Sequence, residues 1–339
     1  MTAGAMTRVG EWLRRSEGES GTEAARTPLG QRWTTWAQRY GMLATLVVLF
    51  AYNAFETPFF LTQRSLLFVL LRQSAPVAIV AVGMAIVIGT GGIDLSVGSV
   101  MAISGQVGAL LFLDGWGVAP AMACALLAAL ACGVFNGTLV ARFGVQPIIA
   151  TLILFIAGRG IAQLITNGQL QPLDDHTFQW IGIAQPWGVP AQVLIALAVA
   201  IVAAAVMRLT VFGRYVTAVG GNAAASRIAG IPSGRVKVSA YVICAGLAGL
   251  VGLIVVGASY ASDAPNTGLG MELNAIAAVA VAGTPLMGGR VRIWGAVGGA
   301  VLLTLLTNTF IAHGLTKQVA EMVEGLVILA ALAIQRHER

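Results

Sequence analysis

From about residue 41 onward the chain is a series of unbroken apolar runs joined by short polar connections. Ten segments carry the runs, at about 41–57, 66–89, 95–113, 119–141, 146–166, 190–207, 238–258, 272–289, 293–312 and 319–335. Most approach the roughly 20 residues that a helix needs to cross a hydrocarbon core. The Gly-rich segment at 272–289 reads as a broken helix. Strict alternation of apolar and polar positions, which a transmembrane β-barrel would show, is lacking. The pattern predicts an all-α fold: a polytopic transmembrane helical bundle of about ten spans, with broken or Gly-rich helices.

Composition agrees. Of 339 residues, 57% are hydrophobic and only 10% are charged, against about 45–50% and about 25% in soluble domains. The 42 glycines suit close helix packing in lipid. A net charge of +6 would suggest nucleic acid in a soluble protein, but its placement argues otherwise. With the N-terminus inside and the spans alternating, sixteen of the twenty Lys and Arg residues fall on the cytoplasmic side, and Arg64 and Lys317 fall outside. That split predicts both termini in the cytoplasm and no nucleic-acid partner.

The domains follow from this. Residues 1–40 form a polar cytoplasmic tail without a signal-peptide pattern. Trp33, Trp36 and Tyr40 share one helical face there, as in an interfacial helix, or are scattered by chance. Residues 41–335 form the transmembrane domain, and 336–339 the cytoplasmic C-terminus. Two connections are long, an outer one at about 167–189 and an inner one at about 208–237. Within the inner loop, residues 223–231 can form a short helix with Asn222 as N-cap. It reads either as a docking element or as a solvated connector. Runs ending in Gly-Thr recur at 83–90 and 277–284, each before a Gly-rich turn, but the match is too short to define a repeat.

Catalytic motifs are missing. With only Lys237 and Lys317 available there is no P-loop, and GxSxG, HExxH and GxGxxG do not occur. His176, His313 and His337 are dispersed, so no metal site is indicated, and the three cysteines lie in apolar runs. The chemistry sits in the helix break Gly89-Thr90-Gly91-Gly92-Ile93-Asp94-Leu95-Ser96-Val97-Gly98. A carboxylate at depth is costly and usually has a partner or a role. Asp94 either caps the next helix through the N–H groups at 96–97 or takes part in a pathway or gate. Arg159, between glycines inside a span, either braces a neighbouring segment through its carbonyls or contacts substrate. Arg72, one turn into the second span, can snorkel outward and is assigned no function. Glu321 and Glu324 lie near the start of the last span.

GGIDLSVGSV at 91–100 resembles the signature of the sugar-importing ABC permeases of the ribose and galactose type. The resemblance continues through Phe135-Asn136-Gly137, Gln146-Pro147 and Ala150-Thr151, and GRGIAQLITNGQ at 158–169 is similar to the galactofuranose branch. AVGGNAAASRIAGI at 218–231 resembles that family's coupling loop, and GLGMELNAIAAVAVAGTPLMGGR at 268–290 its last signature. The likeness covers roughly residues 60–335. It implies a multi-pass permease of the bacterial inner membrane that binds no cofactor itself, with ATP and Mg²⁺ held by a cytoplasmic ATPase subunit. It also implies a periplasmic or extracellular sugar-binding protein, a second permease subunit, identical or related, and surrounding membrane lipid. The candidate pathway or gate residues are Gly91, Gly92, Asp94, Ser96, Asn136, Arg159, Gln169, Glu272 and Asn274. Those expected to couple to the ATPase are Gly221, Asn222, Ala225, Arg227, Ala229 and Gly230. Two positions depart from the family pattern: Asn274 replaces an acid, and Glu324 stands where relatives often place a lysine. The alternatives are an ion-coupled secondary transporter and an ABC permease for a non-sugar solute.

Overall fold

The computed structural model describes residues 29–323, 325 and 326, with side chains from Gly41. It divides into residues 1–41 and 42–339. In the first unit only a helix beginning at Leu29 is described, and the face carrying Trp33, Trp36 and Tyr40 lies outside the described side chains. The elements are α1 (Leu29–Glu56); a π-helix (Arg64–Leu71) running into α2 (Arg72–Gly89); α3 (Val97–Leu113); α4 (Val118–Ala141); and α5 (Pro147–Ile165). There follow α6 (His176–Ile183), α7 (Ala191–Leu209), α8 (Val211–Gly221), α9 (Ala223–Ile228), α10 (Ser233–Ser259), α11 (Met271–Val281) and α12 (Ile293–Ala312).

Six described helices are long and apolar enough to cross a membrane: 64–89, α4, α5, α7, α10 and α12. Three further apolar helices are shorter: 41–56, α3 and α11. Six plus three account for nine of the ten predicted segments. The tenth is helical at 317–323, and most of 319–335, with Glu324 and the C-terminus, lies outside the described residues.

The structure refines the predicted boundaries. The segment at 272–289 is helical only to Val281, because Gly283, Gly288 and Gly289 have φ of 72°, 94° and 83°, values that suit glycine and end a helix. The inner connection holds two helices, α8 and α9, and the first turn of α10. In the outer connection, Gln171–Pro172 pairs antiparallel with Ala261–Ser262, and Asp175 caps α6 by accepting from the N–H groups of Thr177 and Phe178. Those backbone donors, Phe178 first, hold the exposed Asp175 carboxyl below the usual carboxylate range.

α10 occupies the centre, with Tyr241, Cys244, Ala248, Val251 and Ile254 buried. Small residues allow close approach from its neighbours. A Cβ on Gly83 would stand 3.0 Å from the Cys244 backbone, and one on Gly137 would stand 2.8 Å from that of Val238. Backbones brought this close gain dispersion contacts, which drive helix association in lipid.

Candidate functional site

The helix break is a built structure. α2 ends at Gly89, and the Thr90 hydroxyl and N–H both donate to Val87 O, at 2.8 and 3.0 Å. Gly91 takes a left-handed φ of 81°. At Gly92 a Cβ would lie 2.6 Å from the Tyr241 hydroxyl, which donates to Ile93 O at 3.3 Å. Leu95 N donates to Thr151 Oγ1 at 3.1 Å. Asp94 Oδ1 accepts from Ser96 N at 2.9 Å and from Ser96 Oγ at 2.6 Å. Ser96 Oγ in turn accepts from Asn136 Nδ2 at 2.8 Å. The break is thus pinned by α4, α5 and α10 together, which satisfies an irregular backbone inside protein. Asp94 therefore accepts from the N–H of Ser96, one of the two that the capping reading names, while α3 itself starts without a side-chain cap bond.

Asp94 and Ser96 are wholly buried and Asn136 nearly so. They form an internal pin, with Asp94 Oδ2 and Asn136 Oδ1 unpartnered. Replacing Asp94 by alanine strands the Ser96 N–H and should destabilise the protein by about 1–3 kcal/mol. Asp94→Asn keeps the accepting oxygen and should retain most of the stability and transport. Thermal unfolding in detergent beside uptake checks this; an Asp94→Ala protein as stable as wild type would show that the pin carries no weight.

A second cluster lies one turn further along α3. A Cβ on Gly98 would collide with Gly268 O and stand 2.5 Å from Glu272 Oε2, so the N-terminal ends of α3 and α11 meet. Arg159 Nη1 donates to Ala264 O at 3.1 Å and Thr267 O at 2.6 Å. It braces the segment before α11, which is the structural reading of this residue. Glu272 is buried with Oε2 unpartnered. Asn274 is exposed on the first turn of α11, and Gln169 is exposed in the turn after α5; no side-chain hydrogen bond joins either to these clusters among the described residues.

The third cluster lies around α9. Asn222 accepts from Ala225 N at 2.9 Å, as its N-cap role predicts. The helix stops at Ile228, short of the predicted 231, because Gly230 turns left-handed (φ 79°) and Pro232 disfavours helical geometry at Ile231. Ala225, Arg227, Ala229, Gly230 and Gly221 are exposed. So is Ile228, at 90%, the one large apolar side chain of this element, to which the sequence gives no role.

Immediately before α9, the Gly-Gly end of α8 touches two Gly-rich turns. Gly289 N donates to Gly89 O at 3.1 Å. A Cβ on Gly220 would collide with Gly89 O and lie 2.5 Å from Gly289 N; one on Gly288 would lie 2.7 Å from Gly91 N. The sequence places Gly91 and Gly221 among the candidate site residues and Gly89 in the helix break, but gives no role to Gly220 or Gly288. The signal available was the Gly-Gly pairs at 91–92, 220–221 and 288–289, three of the four in the chain, the fourth being Gly298-Gly299 inside α12. α9 is therefore joined through backbone contacts to the break that holds Asp94.

A protein family described as branched-chain amino acid transport system / permease component matches residues 66–332. The ribose import permease protein of Escherichia coli K12 is 39% identical over 321 residues, covering 92% of this chain and 99% of the relative. The galactofuranose transporter permease protein of the same strain is 38% identical over 266 residues, 78% of either chain. The fructose import permease protein of Bifidobacterium longum is 35% identical over 273 residues, 79% of this chain and 77% of its own. No solved structure matches.

Proposed function

This chain belongs to the family of the branched-chain amino acid transport system / permease component, and from that membership we infer that it is the membrane permease subunit of an ATP-driven sugar importer. The observation that carries the reading is the likeness to a ribose import permease along nearly its whole length. Relatives named for galactofuranose and fructose widen the cargo to monosaccharides, pentose or hexose.

In this reading a soluble binding protein delivers sugar to the outer loops, and a cytoplasmic subunit holds ATP and Mg²⁺. Two permease subunits sit together in the bacterial inner membrane. ATP-driven closure of the partner displaces α9. Gly220 passes that displacement to Gly89 and Gly289, and so to the Asp94 break and the turn after α11, two elements that can switch access between sides. A neutral sugar needs hydrogen-bonding groups along its route and no charge relay.

The test is uptake. The chain is expressed with its partner ATPase and binding protein in a strain lacking its own importers for labelled ribose, galactofuranose, fructose and arabinose. ATP-dependent accumulation of one sugar is expected, and it should survive a protonophore while ATP is maintained. Collapse under the protonophore would replace this reading with an ion-coupled carrier.

The orientation has ten spans and both ends inside, on the sixteen-to-two split of basic residues. Ser233 is buried, so the exposed Ala229 and Asp174 are the better labelling positions. An impermeant thiol reagent added to intact cells should label Asp174→Cys and miss Ala229→Cys; the opposite result would invert the orientation.

A further inference from the structure

Arg72 is a cation with no acid at ion-pair distance among the described residues. It is half-buried, about two turns into the apolar helix that starts at Arg64, and no ion pair involves it among the described residues. The backbone around it is also irregular. From Arg64 to Leu71 the chain is a π-helix, and Arg72 N–H donates to Leu67 O, five residues back. Such turns are rare and are frequent at functional sites. Pro76 brings no N–H to the Arg72 carbonyl. Beside this stretch lies a cavity of about 350 Å³ between the 64–89 helix, α7 and α10. Phe68, Arg72, Gln73, Pro76, Gln192 and Val255 line it. Gln192 is held in place by donating to Gly182 O at 2.5 Å, while Gln73 is exposed. In the chain just before Arg72, Phe59, Leu61 and Val69 are exposed apolar side chains.

One unpaired guanidinium and one free amide against aromatic and aliphatic walls suit an amphiphilic anion. A small water-soluble anion would gain nothing from those walls. A phospholipid matches both halves, because guanidinium pairs with phosphate oxygens in a bidentate fork and acyl chains cover apolar surface. We propose that this cavity binds one phospholipid, its phosphodiester on Arg72 and Gln73 and an acyl chain along Phe68 and Val255. The leaflet, the outer one, rests on the orientation given above; the site itself does not depend on it.

The full-length chain in detergent is titrated with phosphatidylglycerol, with diacylglycerol of the same acyl chains, and with inorganic phosphate, and retained lipid is counted by native mass spectrometry. Phosphatidylglycerol is expected to be retained and diacylglycerol lost, with millimolar phosphate failing to displace it. Arg72→Ala should lose one lipid per chain and weaken binding about tenfold or more, as expected for a charged hydrogen bond. Gln73→Glu, an exposed change that spares folding, should do the same by repelling the phosphate. Arg142→Ala, far along the chain, should retain the lipid. Equal retention of diacylglycerol, displacement by phosphate alone, or unchanged binding in Gln73→Glu would each overturn the assignment. Labelling at Asp174 and Ala229 reads the orientation separately, so failure there moves only the leaflet.

Discussion

Gly220→Ala is expected to leave the permease in the membrane and abolish sugar uptake, while Gly221→Ala, one residue on, should transport normally. Both glycines belong to α8, where alanine is the better helix former by about 1 kcal/mol. Their surroundings differ completely. A methyl at 220 would occupy the space of Gly89 O and stand 2.5 Å from Gly289 N, whereas at 221 nothing lies within 4 Å. The obstacle at 220 is backbone on both sides, so no rotamer change relieves it. Overpacking of this kind typically costs about 1–3 kcal/mol, and here it would also break the Gly289–Gly89 hydrogen bond. Uptake, together with the ATPase rate stimulated by loaded binding protein, reads the result. Normal uptake in Gly220→Ala would remove this glycine junction from the transport mechanism.

Ile228→Glu should release the partner ATPase during purification while the permease remains folded. Ile228 closes α9 with 90% of its surface exposed, on an element otherwise made of alanines, one serine and one arginine. Burying such a side chain in a partner's cleft is worth about 1.5–3 kcal/mol, roughly ten- to a hundredfold in affinity, and a carboxylate there reverses the gain. Ala225→Trp should act in the same direction by overfilling the cleft beside it. Stability should not change, since neither position is packed. Co-purification and ATPase-dependent uptake are the readouts. A complex that survives both substitutions would make α9 a plain connector and move the contact to the turn at Gly289–Arg292.

Why some of this was legible in the sequence and some was not is a matter of range. The apolar runs gave the helices because burial in lipid acts on each segment separately. Four glycines around Asp94 marked the break because local backbone freedom is written locally. Asn222 announced its cap for the same reason. The partners of Asp94 were quoted from sequence as parts of a resemblance, yet nothing local says that Asn136 reaches Ser96 or that Thr151 receives Leu95 N–H. The junction was harder still. Gly89 and Gly289 are 200 positions apart (289 − 89), and the two Gly-Thr runs seemed too short a likeness to build on, although the turns that follow them touch. Gly220 and Gly221 look alike in sequence, because tandem glycines differ only once the neighbouring backbone is placed. Gln169 enters by likeness alone, and the structure shows it exposed in the turn after α5.

α11 has eleven residues, a rod of about 16 Å, half of a hydrocarbon core of about 30 Å. An element of that length offers an insertion machine too little apolar surface to be threaded as a span of its own. Its flanks pack on backbone made earlier in the chain: Gly268 lies against Gly98, and the turn at Gly288–Gly289 lies against Gly89 and Gly91. Biogenesis must therefore run in an order: α2 and α3 integrate first, and α11 is drawn in afterwards, together with α12, onto a surface they have already made. A ribosome-stalled chain ending near residue 290 would expose this segment to water and to proteases, and the final third of synthesis is when the nascent permease most needs a membrane chaperone.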